Sequence, residues 1–207
     1  MVGQQYLLIF LLNLNLIAFK HCAMCKKKTI ENNHGVKPMV FIDENEVRVT
    51  QNNLLKVIDR FSTEWSIMFS MRLSTSIPSG DDGLPTCNII NLSEDNIQSS
   101  HYGARTPYVG LRKDTRKIHT TSAINGNWNE IKELPPVIID QTYHLEIHQR
   151  YVSNGHYRYF IMIDGVEVYS VLNTDARQFY NVHVYAGNPW NEPCPVYISN
   201  FKLTNFL

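Results

Sequence analysis

Two tryptophans sit in asparagine-rich turns, Trp128 within Asn125-Gly126-Asn127-Trp128-Asn129 and Trp190 within Asn188-Pro189-Trp190-Asn191. An indole offers its flat apolar face to the C–H face of a pyranose while neighbouring amides satisfy the hydroxyls. Trp128 with Asn127, and Trp190 with Asn188, therefore have the chemistry of a sugar-binding loop. Each ring has a competing structural use, because a tryptophan after a turn often plugs the end of a core. Arg105 and Arg112 carry charge that an acidic ligand would meet, although Arg105, beside Thr106-Pro107, also suits the bracing of a turn.

His144, Glu146 and His148 form the sharpest metal-like pattern. Residues two apart on a strand share a face at ~7 Å, so one His and the Glu reach a common ion, whereas His144 and His148 are ~13 Å apart and do not. A zinc site would need a ligand from an adjacent strand, such as His156. The plainer expectation is a polar outer face, opposite Leu145 and Ile147, turned to solvent or a partner. Nucleophilic catalysis has no G-x-S-x-G or cysteine–histidine signature to support it, and Asp164 reads as a turn residue.

The elements that must position these residues are strands. Residues 143–172, YHLEIHQRYVSNGHYRYFIMIDGVEVYSVL, read as a three-stranded meander. Asn154-Gly155 and Asp164-Gly165 suit two-residue type I′ turns, which demand positive φ at both positions. Further strands are expected at 39–42, 46–50, 65–73, 88–92, 108–112, 118–122, 137–139, 181–186 and 196–203. Residues 52–61, NNLLKVIDRF, fit either a short helix or a strand followed by a turn. Glycine, proline and asparagine punctuate the intervals, as in an antiparallel all-β domain.

At 207 residues with 43% apolar content, the chain is large enough to bury a substantial core. Lysine plus arginine balances aspartate plus glutamate at 19 each, so no net field draws it to nucleic acid. Lys26-Lys27-Lys28 is expected to be solvated. Residues 1–23 resemble a secretory signal peptide, with an apolar core at 6–19 and Ala23 as the small cleavage residue; a signal anchor is the competing reading. A polar segment, 24–35, and one domain, 36–207, follow, with no membrane insertion after signal removal. Cleavage removes Cys22 and leaves Cys25, Cys87 and Cys194, of which Cys87 and Cys194 are the expected disulfide in an oxidising compartment. A Cys22-x-x-Cys25 metal or redox site lacks a second pair. Asn91-Leu92-Ser93 is an N-glycosylation sequon.

Trp65-Ser66-Ile67-Met68-Phe69-Ser70-Met71-Arg72-Leu73, YHLEIHQ at 143–149, YFIMIDGVEVYSV at 159–171 and VYISNFKLTNF at 196–206, the last preceded by Cys194, resemble strands of concanavalin-A-like lectin/glucanase and laminin-G-like domains. The resemblance spans about residues 36–207 and implies an antiparallel jelly-roll β-sandwich of two curved sheets. It implies a secreted, extracellular module that binds glycan, or an extracellular or cell-surface protein, through loops or a concave sheet. A divergent glycoside hydrolase and a structural matrix component are the alternatives. Retaining glycanases of this fold display two carboxylates about 5 Å apart, commonly as E-x-D-x-x-E. That pattern is missing here, Asp43-Glu44-Asn45-Glu46 reads as a solvated turn, and Glu130 and Glu133 have no partner at strand spacing, so a non-enzyme is expected. Some such domains hold calcium in a loop, for which Asp81 and Asp82 are the nearest source of oxygens; no other cofactor is expected.

Overall fold

The structure is a computed structural model that describes residues 33–79, 82–94 and 100–207. The expected signal peptide and most of the polar segment, including Cys22, Cys25 and Lys26 to Lys28, lie outside the described residues, as does Asp81. Thirteen strands make two antiparallel sheets packed as a sandwich: β1 (Met39–Val40), β2 (Val47–Arg48), β3 (Leu54–Phe61), β4 (Trp65–Leu73), β5 (Thr86–Glu94), β6 (Tyr108–Arg112), β7 (Lys117–Ile124), β8 (Asn127–Pro136), β9 (Thr142–Ser153), β10 (His156–Ile163), β11 (Val166–Asn173), β12 (Phe179–Tyr185) and β13 (Val196–Asn205). The first sheet has the order β1-β13-β4-β9-β10-β11, with β2 also paired to β13; the second has the order β3-β12-β5-β6-β7-β8. Residues 52–61 resolve to the strand alternative, as β3 at the edge of the second sheet.

Side-chain alternation explains the core. Leu145 and Ile147 of β9, Tyr159 and Ile161 of β10, and Ile67, Phe69 and Met71 of β4 point inward from the first sheet. They meet Ile90, Leu92, Val109, Leu111, Ile118, Val182 and Val184 of the second. Each such side chain stabilises the fold by roughly 1.5–3 kcal/mol when fully buried. Phe61, Trp65 and Tyr159 pack ring against ring at centroid distances of 5.6 and 6.2 Å.

The hairpins follow their turn residues. Asn154-Gly155 and Asp164-Gly165 both take positive φ, 51° and 74° in the first and 51° and 76° in the second, as type I′ geometry requires. Asn125-Gly126 does the same at 52° and 80° and closes β7 onto β8. Strand β8 replaces the expected short strand at 137–139. Its polar sequence, NWNEIKELPP, hides it because an edge strand has one partner and tolerates charge and terminal proline.

Cys87 of β5 and Cys194, just before β13, form the expected disulfide between the two sheets. It closes a separation of 107 residues, a loop for which chain-entropy arguments give about 4.7 kcal/mol. The glycosylation reading of Asn91 is corrected. Asn91 lies mid-strand in β5 and is 2% exposed, so a glycan on its amide is incompatible with this packing.

Candidate functional site

Strand β5 is central in the second sheet and is buried along both faces. Its inward residues, Cys87, Ile90 and Leu92, belong to the core. Its outward residues, Thr86, Asn88, Asn91 and Ser93, are polar and equally hidden. Neighbouring side chains and the 188–193 segment, which bonds Asn88, cover this polar face.

Register places one row of side chains across that surface. Tyr185 pairs with Asn91, Asn91 with Tyr108, Tyr108 with Thr121, and Thr121 with Ile131. Directly opposed residues share a face, and four strand spacings make the row about 19 Å long. Asn91, Tyr108 and Thr121 are 2%, 5% and 1% exposed, whereas Ile131 at the β8 rim is half exposed. A parallel row runs Asn88, Gly110, His119 and Glu133.

Gly110 lets the Tyr108 ring lie flat over the sheet. A Cβ there would stand 2.1 Å from the Cys87 carbonyl oxygen and 2.8 Å from Tyr108 Oη. The phenol instead crosses the glycine, donating to Cys87 O at 3.2 Å and sharing a hydrogen bond with Thr86 Oγ1 at 3.2 Å. Burial raises its pKa, opposed by the Thr86 hydrogen bond and the nearby Arg105 charge. It is a neutral phenol near pH 7.

Arg105 and Trp128 flank this floor. The Arg105 guanidinium carbon lies 5.0 Å from the Trp128 ring centroid and 5.8 Å from that of Tyr108. Its Nη1 donates to Asn129 Oδ1, and its backbone oxygen accepts from Ala123 of β7 at 3.0 Å. At the other end, Trp190 meets Tyr185 edge to face at 6.1 Å. His119 approaches Tyr108 edge-on at 6.2 Å. Burial lowers the His119 pKa; Glu133 opposes the shift, while Arg112 and Arg105 add to it.

Three polar atoms of this face have no hydrogen-bond partner within the described protein: Asn91 Oδ1, Thr121 Oγ1 and His119 Nδ1. Each is buried, and an unpaired buried polar group costs about 1–3 kcal/mol. All three lie beneath the surface, closed to solvent in the free protein. The polar face, the flanking aromatics and the Arg105 cation thus adjoin one another on the second sheet.

Of the expected site residues, Trp128 and Arg105 come together here, with Trp190 at the opposite end of the row. Trp128 stands on β8 and not in a loop. Asn188 is corrected: it is 2% exposed, and its Oδ1 accepts from the backbone of Trp190 and Asn191 at 3.1 and 2.8 Å. Its own N–H is held by Asn88 Oδ1 at 2.7 Å, so Asn188 builds the Trp190 turn and does not face ligand. Asn127 is exposed but engaged within its turn, donating to Glu130 Oε2 at 2.9 Å and accepting from Asn129 N at 3.0 Å. Arg112 is held by Asp114 at 2.8 Å.

Asp82, the described residue of the expected calcium pair, is engaged within the protein. Its Oδ1 takes the Lys113 ammonium at 2.5 Å and the Leu84 N–H at 3.0 Å, and its Oδ2 takes the Glu192 N–H. Burial pushes the Asp82 carboxyl up, but these donors outweigh it and hold the pKa low. On the first sheet, His148 lies on the expected outer face of β9 yet is 3% exposed, not turned to solvent. It shares hydrogen bonds with Ser66 Oγ at 2.8 Å and Glu146 Oε2 at 3.2 Å, and stacks on Phe160 at 4.5 Å. His144 bonds Ser70 Oγ at 2.8 Å.

The floor residues Tyr108, Thr121, His119 and Tyr185 are not singled out by sequence reasoning. The signal for them is the alternation of polar with apolar residues in 86–94 and 117–124, which ordinarily marks a solvated face.

The fold defines the chain as an all-β sandwich whose second sheet carries a buried polar outer face. No protein-family model matches it, and no curated protein matches it in sequence. Among solved structures it is similar to a mutant of Trypanosoma rangeli sialidase displaying trans-sialidase activity, at 13% identity and a TM-score of 0.49, covering 70% of this chain and 21% of that one. Alginate lyase Aly36B is similar at 15% identity and a TM-score of 0.47, covering 76% and 79%. Sheep galectin-11 is similar at 7% identity and a TM-score of 0.41, covering 74% and 98%. The chain thus spans about a fifth of the sialidase. None of these likenesses carries a residue's role over to this chain.

Proposed function

We propose that the protein is a secreted, non-enzymatic recognition module that binds glycan on the outer face of its second sheet. The observation that carries this reading is the set of unpaired buried atoms, Asn91 Oδ1, Thr121 Oγ1 and His119 Nδ1, on one sheet face flanked by Trp128 and Trp190. In this reading a sugar ring stacks on Trp128 and its hydroxyls face the polar side of the sheet. The row itself, Tyr185, Asn91, Tyr108 and Thr121, contains no carboxylate. Glu133 and Glu192 at the rim are ion-paired with Lys117 and Lys113, an arrangement that favours binding over acid–base hydrolysis. The Cys87–Cys194 disulfide supports an extracellular setting.

The test is a glycan array read with wild type and Trp128→Ala. Loss of a stacked indole costs about 1–3 kcal/mol, so bound signal should fall at least about fivefold while the unfolding midpoint stays within a few degrees. Undiminished binding by a folded Trp128→Ala protein, or turnover of the bound glycan, refutes the reading.

A further inference from the structure

Among the arginines of the described residues, Arg72, Arg112, Arg150, Arg158 and Arg177 each hold a carboxylate within 4 Å. Arg105 differs. Its one hydrogen-bond partner among the described residues is the neutral amide of Asn129, and its guanidinium lies against the Trp128 and Tyr108 rings. A guanidinium has five N–H donors arranged as a planar fork, and the single bond to Asn129 leaves most of them without a protein acceptor. Half-burial makes this unfavourable, because a cation removed from water is best matched by an anion.

The guanidinium lies within cation–π distance of both rings. The backbone bond from Ala123 and the side-chain bond to Asn129 fix its position beside the floor. Its neighbours do not neutralise it. Asn91, Thr121 and Tyr108 are uncharged, and Glu133 across from His119 is engaged by Lys117 at 3.3 Å. A fixed fork beside a polyhydroxyl-binding floor matches the two-oxygen edge of a carboxylate or sulfate.

Resting on the glycan reading of this face, we propose that its ligand is an acidic glycan whose carboxylate or sulfate ester is received by Arg105, while the sugar ring that bears it packs on Trp128. Arg105 is then the residue that selects charged over neutral sugars.

The experiment titrates the full chain, by calorimetry, with a panel of matched tetrasaccharides: oligouronates, their carboxyl-reduced neutral counterparts, and the same neutral sugars carrying sulfate esters. Wild type should bind the uronate or the sulfated member at least about tenfold more tightly than the neutral one, which is 1.4 kcal/mol. The winning arm distinguishes carboxylate from sulfate. Arg105→Gln should abolish that preference, so that charged and neutral members bind within about twofold of one another. Arg105→Lys, which keeps the charge but not the fork, should keep only part of it. Equal wild-type affinity across charged and neutral members overturns the proposal and leaves the glycan reading intact, and so does a preference that survives Arg105→Gln. No binding of any glycan, charged or neutral, overturns both. The wild-type comparison decides the matter even if Arg105→Gln does not fold.

Discussion

The unpaired Thr121 hydroxyl makes a sharp test of whether this sheet face is built for binding or for stability. Thr121 is 1% exposed, and its Oγ1 has no hydrogen-bond partner within the described protein. Replacing it by valine keeps the shape and removes the polar atom. If the hydroxyl is held unsatisfied, Thr121→Val should recover the lower end of its desolvation penalty, about 1 kcal/mol. A domain of this size should then melt about 2–4 °C higher. Thr121→Ser is the control: it retains the hydroxyl and loses one methyl, so it should be less stable by about 0.8 kcal/mol or somewhat more if a void remains. The same hydroxyl contributes to the proposed ligand floor, so Thr121→Val should weaken glycan affinity by about 1 kcal/mol, roughly fivefold. Urea unfolding at fixed pH gives the first number and calorimetric titration the second. A valine variant that loses 1 kcal/mol or more of stability, with unchanged glycan affinity, would show that the hydroxyl is already well bonded in the free protein and would refute the reasoning.

Two further perturbations probe the same face. Gly110→Ala should destabilise by about 3 kcal/mol, at the upper end of overpacking costs, because the new Cβ meets the Cys87 carbonyl oxygen at 2.1 Å and Tyr108 Oη at 2.8 Å; a melting point within one degree of wild type would contradict the described approach of the ring. His119, whose pKa burial lowers from 6.5, binds protons more readily unfolded than folded. Its contribution to stability is therefore complete above about pH 6.5 and is lost as pH falls through the depressed folded value. Chemical denaturation from pH 7.5 to 4.5 should show a shallower acid decline in His119→Gln than in wild type, and identical slopes would remove His119 from the account.

The meander was legible because its information is local. Asn154-Gly155 and Asp164-Gly165 force positive φ, and the period-two pattern from Leu145 to Ile163 then fixes the inward face. Strand β8 was illegible for the opposite reason. As an edge strand it is half solvated, so Asn127 to Glu133 read as a polar loop and Trp128 was assigned to a turn. The pairing of Cys87 with Cys194 followed from counting cysteines, but the burial of Asn91 did not. A sequon beside alternating polar residues looks like a solvent face until cross-strand neighbours are known, and register between β5, β6 and β7 is a long-range property. Tyr108, Thr121 and Asn91 are 13 and 17 residues apart in sequence yet adjacent in one row.

Both sheets bury polar side chains on their outer faces, and the difference between them locates the site. On the first sheet the polar groups satisfy one another: buried His148 with Ser66 and Glu146, exposed His144 with buried Ser70, and partly buried Arg150 with Glu64 at 2.9 Å. A network closed in this way stabilises the strands that carry it and leaves little for a ligand to complete. On the second sheet the corresponding groups stop short of closure at Asn91, Thr121 and His119, and the adjacent cation is paired with an amide instead of a carboxylate. Folding alone does not favour such an arrangement, since polar-to-apolar changes at these positions would relieve it. The incompleteness is accounted for if the missing partners arrive with a ligand, and within the two sheets it falls on the face that Arg105 and Trp128 border.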